Sequence, residues 1–281
     1  MIATYLSLIP SGFLYALILS MVAFGVMIPF RLLNFPDLTA EGAYPLGGAV
    51  ACVLAVKGGH PLLAILVATL CGGLMGIGTA YLHLRLRLNT LLSGIILSAM
   101  VYSINLRLMG KPNVPLFEIN NLFPSNMFLL FCINVLILGL CYYFLLTEKG
   151  LRLRAVGLNA HCAAKQGIIT SKYLFLGLFV GNALSALAGG IMVQIQHYAD
   201  ISMGLGIVIH ALAALMIGES LVGTQTLGKQ MLAPFVGAII YQQMQGIALS
   251  MGLAPTDLKF ITGAIVLLAI SYQRFGVRQV S

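Results

Sequence analysis

MIATYLSLIPSGFLYALILSMVAFG, residues 1–25, contains no Asp, Glu, Lys or Arg and a single proline, Pro10. A helix needs roughly 20 mostly apolar residues to cross about 30 Å of hydrocarbon, and this run is long enough. It has no basic n-region and no small-residue cleavage site, and it is too long for an h-region, so it is expected to be a membrane span and not a leader peptide. The rest of the chain repeats the pattern. Of its 281 residues, 60% are hydrophobic and only 8% charged, with a mean hydropathy of +1.01. A soluble core of this size does not need that much apolar sequence. The mix of Gly, Pro, Leu and Ile favours helices over the alternation of an outer-membrane barrel. The expected fold is all-α, a polytopic helical membrane protein forming one transmembrane domain over residues 1–281.

Working outward from the first run, spans are predicted near 8–29, 38–56, 61–83, 89–108, 125–147, 171–195, 203–222, 230–252 and 258–273, about eight or nine in all. The segment near 31–50 is interrupted by Pro36, Gly42, Pro45, Gly47 and Gly48, so it is expected to be broken or re-entrant. Such backbone is tolerated at membrane depth only where it lines a cavity or is buried in protein. The net charge of +8 has no soluble domain to sit on, which argues against nucleic acid and makes it a topology signal. One side of the spans collects Arg31, Arg85, Arg87, Lys149, Arg152, Arg154, Lys165, Lys172, Lys229, Arg274 and Arg278. The other collects Lys57, Arg107, Lys111 and Lys259. The first side is therefore predicted to be cytoplasmic, with the C-terminus inside. The stretch GIILSAMVYSINLRLMGKP (94–112) faintly echoes GAIIYQQMQGIALSMGLAP (237–255), either as a direct repeat or by chance between two apolar helices.

Several polar groups admit two readings each. Asp37 and Glu41, four apart, would share a helical face near a span. They are either first-turn acids beside Arg31 or part of a solute path or gate together with Asn34 and Thr39. Glu219 is expected to cap a helix or pair with Lys229 or the loop at 148–170. Asp200 either caps the helix after it or offers a docking contact to an outside protein. His197 and His210 lack carboxylates at metal spacing, so no metal site is expected. The five cysteines (Cys52, Cys71, Cys132, Cys141 and Cys162) show no C-x-x-C pairing and are expected to be packing residues. Gly72-x-x-x-Gly76 has the spacing that lets two helices approach closely. No Walker motif is present, so any ATP used must bind another chain.

EKGLRLRAVGLNAHCAAKQGI, residues 148–168, differs from its surroundings in being basic and half-amphipathic. Gly150 and Gly157 are expected to break the chain. Asn159 suits an N-cap and Gly167 a C′ position, which predicts a two-turn helix over Ala160–Gln166. A helix that short cannot span, so it suits docking into a partner's groove at the cytoplasmic face, or it is a loop that holds topology.

Resemblance supports docking. TEKGLRLRAVGLNAHCAAKQGI (147–168) is similar to the coupling loop of ATP-binding-cassette importer permeases. The similarity is carried by Gly150, Arg152, Arg154, Ala155, Gly157, Asn159, Ala163, Ala164, Gly167 and Ile168. LLNFPDLTAEGAYPLGGAVA (32–51) resembles the start of branched-chain amino acid (LIV) type permeases. YADISMGLGIVIHALAALMIGESLVG (198–223) and APTDLKFITGAIVLLAI (254–270) resemble the tryptophan- or tyrosine-type uptake permeases among them. The resemblance implies a permease homodimer in the bacterial inner membrane, two cytoplasmic ATPase subunits that carry ATP and Mg, and an extracytoplasmic solute-binding protein. No cofactor is expected on this chain. It implies ATPase contact through Arg152, Arg154, Gly157, Asn159, Ala163, Ala164 and Gly167, with Ala163 facing the partner. It implies no enzyme activity in the chain itself and a small solute such as an amino acid. The rival classes are an ion-gradient transporter, which would show charges at mid-helix positions, and an intramembrane enzyme, for which no catalytic constellation is found.

Overall fold

The computed structural model describes residues 2–116 and 127–252, with 260, 263 and 264 as isolated positions. Apart from those three positions, the expected span at 258–273 lies outside the described residues, as do Lys259, Arg274 and Arg278. In chain order the elements are α1 (Ile2–Met27), a π turn (Ile28–Leu32), α2 (Ala40–Val56), α3 (Pro61–Leu86), α4 (Thr90–Met109), β1 (Asn113–Pro115), α5 (Met127–Leu146), α6 (Glu148–Leu158), α7 (Ala160–Lys165), α8 (Thr170–Gln196), β2 (Tyr198–Asp200), α9 (Ile207–Val222) and α10 (Leu227–Ser250). Each of the first eight expected spans coincides with a helix. Among the described residues five helices are long and apolar enough to cross a membrane: α1 with its π turn, α3, α4, α5 and α8. The apolar helices α2 and α9 are shorter. At 1.5 Å per residue α2 reaches only about 25 Å.

The core is organised by glycine on one side of a helix and bulk on the other. In α3, Gly72, Gly73 and Gly76 face α8. A Cβ at Gly76 would lie 2.5 Å from the carbonyl carbon of Leu178, and one at Gly72 would lie 2.7 Å from the carbonyl oxygen of Asn182. The opposite face of α3 exposes Leu63, Leu66, Leu70 and Leu74, spaced three and four apart on one stripe. Small residues inward and large ones outward is the arrangement expected in lipid, where contact between backbones, not exclusion of water, holds helices together. The spacing predicted from sequence is therefore a helix–helix contact.

At the centre is α1, where Leu17, Met21, Val22 and Met27 are fully enclosed. It meets α8 through Gly25 and Gly181, each of which approaches the other's carbonyl oxygen. Pro29 then removes the amide that would continue the α-helical ladder. The chain passes through the π turn, with the Leu33 amide on the Ile28 carbonyl at 3.1 Å and the Phe35 amide on the Pro29 carbonyl at 2.8 Å. Asn34 follows with φ +51°, a left-handed position that Asn tolerates better than most residues. The break predicted near 31–50 is thus real but lies earlier, over Ile28–Thr39. The proline- and glycine-rich part, 40–56, is continuous helix, because its glycines serve close packing: a Cβ at Gly47 would lie 2.7 Å from the Cα of Ala186. On the far side, β1 and β2 form a two-stranded antiparallel ribbon that pairs Asn113 with Asp200.

Candidate functional site

Residues 33–39 carry the chain from the π turn into the bundle, and Asp37 fastens this linker. Asp37 is 2% exposed. Its carboxylate accepts from the Thr39 amide at 2.8 Å, from the Thr39 hydroxyl, and from Asn182 Nδ2 of α8 at 2.8 Å. Thr39 Oγ1 in turn meets Thr79 Oγ1 of α3 at 2.7 Å. Gly94 of α4 brings its backbone against Leu38 and Thr39, where a Cβ would lie 3.0 Å from each amide nitrogen. One buried carboxylate thus ties the linker to α8 and, through Thr39, to α3.

Asp37 and Glu41 do not share a helical face, in contrast to the expectation from their spacing. Asp37 precedes α2, whereas Glu41 lies in its first turn. Nor does Arg31 pair with either acid. Its Nε donates to Glu219 Oε1 of α9 at 2.7 Å and its second nitrogen contacts Glu219 Oε2. That pairing also replaces the expected Lys229 or loop partner for Glu219. Asn34 is exposed with a left-handed backbone and Thr39 belongs to the Asp37 network, whereas Glu41 lines an open space.

That space is a cleft of about 350 Å³ between α2, α4 and the non-helical segment 201–206, lined by Glu41, Ser98, Tyr102 and Asn105 among apolar neighbours such as Ile95 and Leu205. The depth of Glu41 follows from its neighbours. Asp37 meets Asn182, and the carbonyl carbon of Tyr44 lies 2.8 Å from where a Cβ of Gly189 would stand. Glu41 is therefore level with the middle of α8, although it begins its own helix. The 201–206 segment reaches the same level: Met203 covers Gly48, and Gly204 fits against the Glu41 carbonyl and Pro45 Cδ. Pro45 has no amide to return to that carbonyl. The Gly206 amide faces the Glu41 carboxylate. Glu41 has no cationic partner among the described residues, where the ion pairs are Arg31–Glu219 and Arg152–Glu148. The sequence signal for this site is a polar stripe at Ser98, Tyr102 and Asn105, spaced four and three on apolar α4, which reasoning from the acids alone passes over.

The basic segment is a second surface. Gly150 and Gly157 do not break it, and α6 runs through both. Glycine is needed there for contact, since a Cβ at Gly157 would lie 2.7 Å from the Leu32 carbonyl carbon and 2.8 Å from Leu33 Cα. Then α7 forms as expected. Asn159 Oδ1 accepts from the Cys162 amide at 3.0 Å, Gly167 takes φ +79°, and the Ile168 amide returns to the Ala163 carbonyl at 3.1 Å. Ala163 does not face outward, however. It is 3% exposed and belongs to the cluster of Leu32, Leu33, Leu153 and Tyr173, because α7 folds back onto α6 and α8. Arg152 is exposed and paired to Glu148, while Arg154 is half-buried with its Nε enclosed. Asn159, Ala164 and Gly167 are exposed, and so are Leu158, at 87%, and Ile169. Asp200 accepts from Ser202 N at 2.7 Å and Ser202 Oγ at 2.6 Å, shaping the 201–206 turn, while α9 starts later, after Gly206.

Comparisons with known proteins bear on the family and the fold. Residues 8–271 match the family described as branched-chain amino acid transport system / permease component. The chain is 39% identical over 261 residues to a tyrosine transport system permease protein of Clostridioides difficile, covering 90% of this chain and 86% of that one. Its fold is similar to that of PsaBC from Streptococcus pneumoniae in complex with Fab, with a TM-score of 0.55, 14% identity, and coverage of 96% of this chain and 95% of that one. It is also similar to an inward-facing conformation of a metal-chelate type ABC transporter, with a TM-score of 0.51, 17% identity, and coverage of 97% and 86%.

Proposed function

The chain belongs to the branched-chain amino acid transport permease family, and from that premise we propose that it moves a small amino acid inward, with tyrosine as the first solute to test. It is an integral membrane subunit of the ABC transporter class, whose working partners are an ATPase and a solute-binding protein. In the proposed assembly two copies of the chain sit in lipid over two ATPases, which hold the ATP and Mg, and the basic segment faces the cytoplasm. The chain itself performs no hydrolysis. Solute enters from the binding protein and leaves when the ATPases shift the balance between two states of the permease.

The observation that carries this reading is the seating of α6 and α7. They form a capped surface element with an exposed apolar tip at Leu158, and the inner side of α6 rests on the π turn that leads to Asp37 and α2. A push on the tip is thereby transmitted to the linker beside the cleft. Leu158→Asp tests it, since Leu158 is 87% exposed and its replacement leaves the core composition unchanged. The expected result is normal membrane abundance, at least a tenfold loss of ATPase recovered with the permease in mild detergent, and loss of uptake. Undiminished ATPase recovery and uptake would reduce α6 and α7 to a loop that holds topology. Ala163→Trp is no substitute, because it would overfill the permease's own core.

Orientation has its own test. Cys162 is free and exposed. In intact cells an impermeant thiol reagent is expected to leave Cys162 unlabelled but to label a cysteine placed at Asn113. Labelling of Cys162 from outside would invert the topology.

A further inference from the structure

We propose that the cleft between α2, α4 and residues 201–206 is the selective solute site, and that it takes a small solute with an ammonium group and a second polar group on an apolar body. This deepens the transport reading and rests on it. Two independent observations point to an occupant. Glu41 places a carboxylate level with the middle of α8 with no cation beside it among the described residues, and an ionisable side chain at that depth is costly unless it is used. Asn105, 1% exposed, lines the same cleft with neither its Nδ2 nor its Oδ1 hydrogen-bonded. A buried amide without partners is rare in folded proteins, and this one stands where a solute would meet it.

The remaining lining sets the class. Ser98 Oγ reaches only the Leu38 carbonyl, at 3.4 Å, and the walls at Leu38, Pro45, Ile95 and Leu205 are apolar. A volume of about 350 Å³ lies at the lower end of the range for small-molecule sites, roughly 300–1,000 Å³. Glu41 is the counter-charge for an ammonium, and Asn105 can both donate to and accept from the second polar group. A bare metal ion does not fit, because the cleft offers one carboxylate and a mostly apolar wall. An anion does not fit, because the cleft offers it no cation.

The intact complex in nanodiscs, without the binding protein, provides the test through equilibrium binding of three probes. L-tyrosine and tyramine carry the ammonium; 3-(4-hydroxyphenyl)propionate does not. The first two are expected to bind at least tenfold more tightly than the third. Glu41→Gln, which keeps the shape, is expected to remove that preference while size exclusion shows an assembled complex. Asn105→Leu is expected to weaken L-tyrosine at least fivefold. Binding of none of the probes, equal binding of all three, or an unchanged preference in Glu41→Gln overturns the site. An ethanolamine headgroup shares the ammonium chemistry, so binding is compared in phosphatidylglycerol discs with and without phosphatidylethanolamine. Loss of tyramine binding in the ethanolamine discs would assign the cleft to lipid and overturn the solute site. ATP-driven uptake of L-tyrosine is measured separately. Failed uptake with intact amine selectivity would sink the transport reading and leave the site standing.

Discussion

Gly157→Leu is expected to abolish uptake and to lower the unfolding temperature of the purified complex. A side chain at 157 meets backbone: the Leu32 carbonyl and the Leu33 Cα at 2.8 Å. No rotamer of a neighbour relieves that overlap, so α6 must lift from the π turn. Overfilling a packed contact costs about 1–3 kcal/mol, and the displacement lies on the proposed path from the docking surface to the linker. Intrinsic helix preference points the other way, because Gly is roughly 1 kcal/mol worse than Ala inside a helix. Loss of function would therefore come from contact and not from helicity. Gly157→Ala, which adds only the Cβ, is expected to give an intermediate loss. Gly139→Leu is the control, since a Cβ there meets nothing within 4 Å, and uptake is expected to survive. Uptake by Gly157→Leu within twofold of wild type would mean that the seat of α6 transmits nothing.

This pair of outcomes also explains what could be read from the sequence. Span positions were legible because hydropathy is a sum over many residues and tolerates local error. The cap at Asn159 and the stop at Gly167 were legible because capping is local chemistry. The glycines at 150 and 157 are ambiguous in the sequence for a physical reason. A glycine that breaks a helix and a glycine that admits a neighbouring backbone look identical in one dimension, and only the partner, here Leu32 and Leu33, distinguishes them. Ala163 is ambiguous in the same way, since a small residue on a short helix suits either an outer groove or an inner seat. Pro45 and the glycines around it suggested disruption, yet α8 packs so closely that the helix is kept and the break falls at Pro29.

The acids show the limit more sharply. A spacing of four suggests a shared face only if both residues are helical, and Asp37 is not. The position of Glu41 in the first turn of α2 also misleads about its depth. It begins its own helix, but residues 33–39 have already carried the chain to the level of mid-α8. Depth is a property of packing, not of distance from a span boundary. The family assignment excludes an ion-gradient class that a mid-depth carboxylate alone would have favoured. Within that family the cleft can be read as a place where one charge selects solute.

Asp37 and Glu41 should therefore separate cleanly under mutation, and Asp37→Ala is the decisive half. It removes the acceptor for the Thr39 amide and for Asn182 Nδ2, each held at 2.8 Å. Each buried donor left without a partner costs roughly 1–3 kcal/mol. Asn182 Oδ1 is already without a partner, so little on that side chain can compensate beyond its bond to the Leu178 carbonyl at 3.0 Å. The linker then loses its tie to α8, and the Thr39–Thr79 contact to α3 loses its anchor. The expected outcome is a fall in membrane abundance and in the unfolding temperature, with uptake per folded complex reduced as a consequence. Asp37→Asn keeps one acceptor oxygen for Thr39, and a turned Asn182 amide can offer Oδ1 to the new nitrogen, so this variant is expected to recover much of the stability. Glu41→Gln, in contrast, is expected to leave abundance and unfolding temperature at wild-type values, since the side-chain contact of Glu41 to another element is with the Gly206 amide, for which Gln keeps an acceptor oxygen. Wild-type abundance and unfolding temperature in Asp37→Ala, with uptake lost, would move Asp37 from fastener to solute path.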